Sequence, residues 1–335
     1  MSEPDLSKRP QMPRHLTWAD DPWGILWRAK NLVKGFHPAR TARFLAAYAF
    51  PVCHPRPIFI IGAPRSGTTM MFHLLRASAR LASLPGEGHN VWRMYHHPRY
   101  TGWQSDAIGA GEIRSGERRF VNAYFYSWIK TQRLVEKTPE NSLRIAYLLD
   151  LFPDARFIAV RRNPCDVISS LIGGWRRPDG RFRSYYVPQN LEIEGYAHRR
   201  RWCFTLVDGW RALASSTVPE IAFVQWQQSV NAIAACRPLV PSDRWIDVPL
   251  ERLREAPDEM LERVGERLGL DPDPELRARL DELLQAPPNA ASPPGHEKWR
   301  TDNAGEVGAL LPRIAVAAAA VGYEVDAVSG DFRVL

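Results

Sequence analysis

A glycine loop between an apolar run and a helix-like segment constrains the fold of this chain more than any other feature. Residues 57–61, PIFII, form an apolar run of strand length that ends at Gly62, and TTMMFHLL after Gly67 has helical spacing. The intervening GAPRSGTT has the GxxxxG spacing of a phosphate-binding loop. Glycines let the backbone approach an anion, and N–H groups at a helix start point towards it. The segment therefore predicts a strand, an anion-binding turn and a helix in succession.

The loop lacks the lysine that usually follows its second glycine. Thr68 stands at that position, and the basic residue, Arg65, lies inside the loop. A nucleoside triphosphatase needs that lysine on its β- and γ-phosphates and a Ser or Thr hydroxyl on Mg²⁺. The sequence also shows no acidic pair at a strand end in the pattern of a metal site. We therefore expect the loop to bind an anion without a metal.

Strand-like runs alternate with helix-like segments along the rest of the chain. Strands are predicted at 133–137, 155–160 and 244–250, and each is followed by a segment with helical spacing. Such alternation favours a parallel sheet that is covered on both faces. We therefore expect an α/β chain with a P-loop-like three-layer fold, in which helices flank a central parallel β-sheet.

The composition of successive segments predicts an N-terminal arm, a helical extension and one large domain. Residues 1–16 are expected to form a flexible arm, and 17–55, which is rich in tryptophan, a helical extension. Residues 56–335 are expected to form one domain, a length that can bury its own core. Within it, 176–200 is polar, basic and aromatic, and we interpret it as an inserted loop of functional length. The extension either packs on the domain or makes peripheral contact with a membrane.

The charge balance points to an anionic ligand. The formal net charge is +7, and only six of the 44 basic residues are lysine, so arginine, which binds phosphate and carboxylate through a bidentate fork, dominates. The basic residues are spread along the chain, which argues against a nucleic-acid partner. No apolar run reaches membrane-spanning length and the N-terminus lacks the apolar core of a signal peptide, so we expect a cytoplasmic location.

A second motif, RFIAVRRNPCDVISS, predicts another anion site. Its strand ends in arginines, Asn163-Pro164 marks a turn, and Asp166 falls in the first turn of a helix. Arg162 at the strand end and Ser170 two turns into the helix can reach one anion over the carboxyl edge of the sheet. Two anion sites at one edge predict a ligand with two separated phosphate-like groups.

The paired motifs PRSGTT and RNPCDVISS resemble the two nucleotide signatures of sulfotransferases, which use 3′-phosphoadenosine 5′-phosphosulfate (PAPS) as donor and release 3′-phosphoadenosine 5′-phosphate (PAP). By this resemblance, Arg162 and Ser170 hold the 3′-phosphate. The residues implied to hold the 5′-phosphosulfate are Arg65, Ser66, Gly67, Thr68 and Thr69. The arginine in the loop, EKTPEN at 136–141 and VPLERLREAP at 248–257 resemble the branch that contains protein-tyrosine sulfotransferases and many bacterial enzymes, although its usual Tyr-Glu-Asp is Leu-Glu-Arg here.

Sulfuryl transfer needs a base at the acceptor hydroxyl and cations around the transferred group. The resemblance assigns the base to Glu87 in SLPGEGHNVW, with His89 as its rival, and charge stabilisation to Lys137 together with Arg65. The polar segment HEKWRTDN occupies the place where sulfotransferases close a loop over the nucleotide. It implies that Lys298 and Arg300 contact the 3′-phosphate and that Trp299 stacks on adenine.

Two other functions stay open at this point: a P-loop kinase for a small molecule, and a nucleotide-binding protein without catalysis. Residues 88–105, the insertion at 176–200 and the tryptophan-rich N-terminus supply aromatic and polar side chains for an acceptor pocket. Such a pocket suits a small molecule, a sugar, a lipid headgroup or a peptide. A hydroxyl is the expected acceptor group, with an amine as the alternative. The oligomeric state also stays open.

Overall fold

A parallel sheet of five strands forms the centre of the computed structural model, which describes residues 37–270, 274–288 and 297–335. Its strand order is β2-β3-β1-β4-β7. The strands are β1 (Ile58–Ile61), β2 (Leu81–Ala82), β3 (Arg133–Lys137), β4 (Arg156–Arg161) and β7 (Trp245–Pro249). Neighbouring strands all pair in parallel, so the loops that follow β1, β3, β4 and β7 meet at one edge.

Helices cover both faces of this sheet. They are α1 (Pro38–Ala49), α2 (Thr68–Leu75), α3 (His89–His96), α4 (Glu117–Ile129), α5 (Ile145–Leu151), α6 (Pro164–Trp175), α7 (Val218–Cys236), α8 (Leu250–Glu255), α9 (Pro257–Leu268), α10 (Pro274–Gln285), α11 (Trp299–Asp302), α12 (Ala304–Gly308) and α13 (Leu311–Ala318). Side chains of β1 alternate between the two faces, as the strand period requires. Ile58 and Ile60 pack with α2, α9 and α10, whereas Phe59 and Ile61 pack with α4 and α5. These three layers confirm the predicted fold class.

Two short antiparallel hairpins lie outside the central sheet. One pairs β5 (Arg183–Tyr186) with β6 (Arg201–Cys203), and the other pairs β8 (Tyr323–Val325) with β9 (Phe332–Val334). The first hairpin begins inside the predicted insertion at 176–200 and ends just beyond it. Its Tyr185 and Trp202 are buried among α6 and α7, so this part of the insertion contributes to the core.

Helix α1 packs on α4 at the start of the described chain. The ring of Phe44 meets Phe120 edge-on at 5.4 Å between centroids, and the Arg40 guanidinium lies 4.0 Å from the centroid of Trp128. The predicted arm and the tryptophan-rich part of the extension, residues 1–36, lie outside the described residues. Every helix that the structure does describe is too short or too polar to cross a membrane.

Candidate active site

The glycine loop between β1 and α2 is held by a serine that the sequence analysis did not single out. Ser142 Oγ accepts a hydrogen bond from the Gly62 N–H at 2.9 Å and donates to the Gly62 carbonyl at 2.8 Å. A Cβ at Gly62 would lie 2.4 Å from the Val160 carbonyl oxygen, so only glycine fits. Arg65 and Gly67 both adopt positive φ, at 76° and 102°, which turns the chain sharply into α2.

Ser66 shapes this loop from within. Its hydroxyl donates to the Ala63 carbonyl at 2.8 Å, its N–H donates to the same carbonyl at 3.1 Å, and its side chain is buried. The Ser66 hydroxyl is therefore engaged by the loop itself, and the predicted contact of Ser66 with the phosphosulfate is not made through it. The residue instead fixes the curvature that lets its neighbours face an anion.

A cleft of about 490 Å³ opens at the carboxyl edge of the sheet, over this loop. That volume lies in the range of small-molecule sites. The structure brings together there most of the residues predicted to bind the donor: Arg65, Gly67, Thr68, Thr69, Arg162, Ser170 and Lys298. The remaining walls include Asp166, Leu250, Arg254 and Asn303.

Arg65 links the two predicted motifs. Its Nε donates to Ser170 Oγ at 3.0 Å, and its guanidinium lies 4.7 Å from the centroid of the Phe182 ring. Burial, followed by the charges of Arg162, Arg177 and Arg181, lowers the pKa of Arg65 to about 10. A bound anion would relieve this crowding of positive charge.

Arg254 is a cleft residue that the sequence analysis missed. Its Nε is buried and has no hydrogen-bond partner in the part of the chain that the structure describes, and burial and then the charge of Arg162 lower its pKa. Arg162 pairs with Asp166 across 3.1 Å at the same end of the cleft. A buried guanidinium Nε that lacks a partner, beside a second guanidinium, is the arrangement expected of a phosphate site. Arg254 lies within VPLERLREAP, but no local sequence pattern distinguishes it from the neighbouring Arg252.

The segment around Trp299 corrects two expectations. Trp299 is 4% exposed and packs in the core, where its ring lies beside Gly330, so no ring face is left to stack on adenine. Arg300 points away from the cleft and binds Glu297 at 2.8 Å and Asp331 at 2.7 Å. Both residues belong to the scaffold rather than the nucleotide site, whereas Lys298 does line the cleft.

A second charged group lies next to the loop. Lys137, at the end of β3, donates through Nζ to Thr69 Oγ1 at 3.0 Å and to Glu87 Oε1. Glu87 Oε2 in turn lies 2.7 Å from His89 Nε2. Lys137 is 2% exposed while Glu87 is one-third exposed, so the carboxylate is the member that an acceptor can reach. The structure thus joins all four predicted catalytic residues, Arg65 included, around one loop.

Main-chain contacts to the end of β3 fix the position of Glu87. The Gly88 N–H donates to Glu136 Oε1 at 3.0 Å and to Thr138 Oγ1 at 2.8 Å. A Cβ at Gly88 would come within 2.6 Å of Glu136 Oε1, so this close approach requires glycine. The EKTPEN segment therefore supplies both the cation, Lys137, and the groups that hold the Glu87 loop.

The electrostatic balance differs between the two candidate bases. Burial raises the pKa of Glu87, but the hydrogen bond from His89 and the charge of Lys137 outweigh it and keep the pKa below its usual value. For His89, burial lowers the pKa, but Glu140 and Glu87 outweigh burial and raise the pKa to about 9. Near neutral pH, Glu87 is therefore a carboxylate that can accept a proton, whereas both ring nitrogens of His89 already carry one.

Comparisons with known proteins agree with this geometry. A family model described as “Sulfotransferase family” matches residues 57–223. The nodulation protein NoeE of Sinorhizobium fredii is 27% identical over 237 residues, which cover 65% of this chain and 51% of that protein. An uncharacterized protein of Aquifex aeolicus is 30% identical over 129 residues, or 35% of this chain and 17% of its own length. The chain thus spans about half the length of NoeE and less of the second relative.

Among solved structures, the sulfotransferase STF9 from Mycobacterium avium superposes with a TM-score of 0.52 at 17% identity. The match covers 80% of this chain and 78% of that one. At this level of identity the likeness concerns the fold, and it agrees with the parallel three-layer arrangement described above.

Proposed function

The chain belongs to the sulfotransferase family, and we propose that it transfers the sulfuryl group of PAPS to a hydroxyl acceptor, with an amine as the alternative. One observation carries this proposal. The arginines that line one cleft come from two places in the fold, Arg65 from the glycine loop after β1, and Arg162 with Arg254 from the segments that follow β4 and β7. Lys137 with Glu87 adjoins the same loop through Thr69. Two cationic places suit a donor with two phosphate-like groups, and the carboxylate suits a base.

The donor would be divided between these two places. Arg65, Thr68, Thr69 and the N–H groups at the start of α2 would hold the phosphosulfate. Residues at the other place would hold the 3′-phosphate, and these are Arg162, Ser170, Arg254 and Lys298. The buried Nε of Arg254, which lacks a partner among the described residues, fits this assignment because a phosphate oxygen would satisfy it.

Transfer would be in line and would depend on positioning and charge. Glu87 accepts the acceptor proton while the acceptor oxygen forms its bond to sulfur. Lys137 and Arg65 stabilise the electron pair that stays on the bridging oxygen when its bond to sulfur breaks and PAP leaves. The hydrogen bonds of Lys137 to Thr69 of the loop and to Glu87 support this role.

The acceptor class is a coarser proposal. Arg177 and Arg181, on the segment before β5, lie close enough to Arg65 to lower its pKa, and the Phe182 ring is stacked on Phe204 beside them. An aromatic and basic wall of this kind suits a sugar, a phenol, a lipid headgroup or a peptide tyrosine. A carbohydrate or a small secondary metabolite is our first choice. Peripheral membrane contact through the tryptophan-rich N-terminus stays a prediction.

Transfer of labelled sulfate from PAPS to a panel of these acceptors, in EDTA, tests the proposal. We expect turnover with at least one hydroxyl class and none with ATP in place of PAPS. Turnover of ATP that needs Mg²⁺ would instead show a kinase. Binding of PAP without transfer to any acceptor class would show a nucleotide-binding protein without catalysis.

Neighbouring arginines provide a matched pair for the donor site. Arg162→Gln should weaken PAP binding in calorimetry about 10- to 100-fold, because a charge-assisted contact to phosphate is lost. Arg161→Gln is the control, since Arg161 donates to the Val321 carbonyl at 2.7 Å and does not line the cleft. Equal weakening in both variants would contradict the assignment of the 3′-phosphate site.

A further inference from the structure

The ring of His89 lies between two carboxylates. Its Nε2 is 2.7 Å from Glu87 Oε2, and its Nδ1 is 3.2 Å from Glu140 Oε1. Glu87 is one-third exposed towards the acceptor, whereas Glu140 is 2% exposed. The histidine therefore connects a carboxylate that an acceptor can reach with one that it cannot.

This geometry determines how many protons the ring carries. A neutral imidazole has one N–H donor and one acceptor nitrogen, and only the imidazolium has two donors. An ionised carboxylate accepts hydrogen bonds but cannot donate them. Nε2 of His89 hydrogen-bonds to Glu87, whereas Nδ1 lies within ion-pair distance of Glu140 Oε1 without hydrogen-bond geometry. Two carboxylates at these distances favour the doubly protonated, charged ring. His89 is then a fixed cation rather than a proton acceptor.

Glu140 is held through Oε1, while its buried Oε2 has no hydrogen-bond partner among the described residues. It lies in the turn Pro139–Leu143, directly after the Lys137 strand, and is nearly fully buried. Arg93 Nη2 donates to its Oε1 at 3.1 Å. Tyr185 OH lies 3.2 Å from the same oxygen and closer to Asp106, so its single hydrogen is shared between these two carboxyl groups. Burial and the Glu140 charge raise the pKa of Asp106 to about 6. Glu140 is thus an anchored anion.

We propose that Glu140 is a positioning residue, which holds His89 doubly protonated and in contact with Glu87. This inference rests on the proposed function, because its consequence concerns Glu87 as the base. The acceptor proton goes to Glu87 and not to His89, which has no vacant nitrogen. Glu140 acts on the base only through the histidine, since His89 stands between the two carboxylates.

The proposal predicts an alkaline limit to turnover. Glu87, Glu140 and Arg93 are the charged groups that act on the His89 ring. Lys137 acts on it through Glu87, and Arg144 and Asp106 act on it through Glu140. Glu87 and Glu140 favour the charged ring and Arg93 opposes it, with a net rise in the pKa to about 9. Turnover should therefore fall as the pH passes about 9 and the ring loses a proton. Without the Glu140 charge, the fall should move towards 6.5, the ordinary histidine value.

Glu140→Gln tests this with two measurements. One is the pH profile of kcat with PAPS saturating, and the other is the pKa of His89 from its ¹⁵N ring shifts with PAP bound. We expect both the alkaline limb and the ring pKa to fall by about one pH unit or more, since removing one nearby charge of opposite sign shifts a pKa by that amount. Below the ring pKa, kcat should stay within about threefold of wild type, because the hydrogen bond between His89 and Glu87 is still available.

Glu117→Gln is the control. Glu117 is also nearly fully buried and also pairs with a histidine of α3, His96, but it does not contact the catalytic group. It should destabilise the fold without moving the alkaline limb. An unmoved limb in Glu140→Gln, or an equal shift in both variants, would overturn the proposal.

The wild-type protein gives a readout that needs neither variant nor turnover. At pH 7.5, both ring nitrogens of His89 should show the ¹⁵N shifts of an imidazolium. One nitrogen with the shift of an unprotonated imidazole would overturn the proposal even if the Glu140→Gln chain fails to fold. Imidazolium shifts in a protein that transfers no sulfate would contradict the proposed function and leave the role of Glu140 in holding the histidine intact.

Discussion

Helix α3 carries a histidine at each end, and each histidine meets a buried glutamate. His89 begins the helix and faces Glu87 and Glu140, so its pKa rises to about 9. His96 ends the helix and lies 2.8 Å from Glu117 Oε1, yet its pKa is lowered, because burial outweighs the hydrogen bond to Glu117. Both exposure and charge differ, since His89 is 30% exposed and meets two carboxylates, whereas His96 is 5% exposed and meets one.

The difference separates a chemical role from a structural one within eight residues. His96 and Tyr147 both bond to Glu117 in the core between α3, α4 and α5. Such a buried network stabilises packing and offers nothing to a substrate. At the other end, the open side of Glu87 turns a similar pair into a candidate base.

The largest effect should follow loss of the carboxylate at the catalytic end. Glu87→Gln removes the proton acceptor and should lower kcat about 10²- to 10⁴-fold, while PAP affinity changes less than about threefold. Steady-state rates and calorimetry measure the two quantities. Glu117→Gln should leave kcat within about threefold, and an equal loss of turnover in both variants would end the distinction between the two ends of the helix.

Replacing the histidines should have smaller effects than Glu87→Gln, and the two variants should differ: one loses turnover and the other loses stability. His89→Gln removes a charge-assisted hydrogen bond to the base and should lower kcat about 10- to 100-fold. His96→Gln should change kcat little but leave Glu117 poorly paired, which costs about 1–3 kcal/mol of stability. Activity assays and urea unfolding decide between them. Loss of stability without loss of turnover at His89 would make that residue structural too.

The next effect concerns the glycine before α3. Gly88→Ala places a methyl group 2.6 Å from Glu136 Oε1 and 2.9 Å from Trp92 Nε1, both buried. The loop must move, so we expect about 1–3 kcal/mol of destabilisation and about a tenfold fall in kcat. Gly86→Ala meets nothing within 4 Å and is the matched control. A fully active Gly88→Ala enzyme would show that Glu87 needs no such fixed position.

The smallest effect is on stability as a function of pH. His96 has a lowered pKa in the folded state, so its contribution is present above pH 6.5 and is lost as the pH falls below that value. His89 has a raised pKa, so its contribution is present below pH 6.5 and is lost as the pH rises through about 9. Unfolding free energies measured from pH 5 to 9.5 should therefore flatten at the acid end in His96→Gln and at the alkaline end in His89→Gln. The reverse assignment would contradict both pKa directions.

The sequence predicted the central sheet well, because buried parallel strands are continuous apolar runs that end at recognisable turns. The predicted strand at 133–137 coincides with β3, and those at 57–61, 155–160 and 244–250 differ from β1, β4 and β7 by one residue at an end or at both ends. Five strands of two to four residues, at 81–82, 183–186, 201–203, 323–325 and 332–334, went unpredicted. Their pairing depends on distant partners, so local pattern carries little signal for them.

The site was predictable only where a motif fixed the spacing. Arg65, Arg162 and Ser170 come from loops and helix starts with recognisable order, and they meet in the cleft. Arg254 and Glu140 belong to the site through residues distant in sequence, Arg162 beside Arg254 and His89 beside Glu140. A local sequence pattern carries no information about such contacts. Trp299 shows the reverse error, since a large aromatic residue in a polar segment was expected in the site and packs in the core.

In the proposed mechanism, Lys137 supplies from outside the loop the cation that a loop lysine would supply, and this makes the site depend on strand register. β3 pairs with β1 so that Lys137 stands opposite Ile60, two residues before Gly62. Successive side chains of a strand point to opposite faces, so a shift of one residue would send Lys137 to the wrong side of the sheet. The glycine loop is continuous in sequence and can form early, but its cation arrives only with the correct pairing of two strands that are more than seventy residues apart. Sulfuryl transfer would therefore report on completed folding, since a chain with a correct loop and a misaligned sheet would lack the charge that the reaction needs.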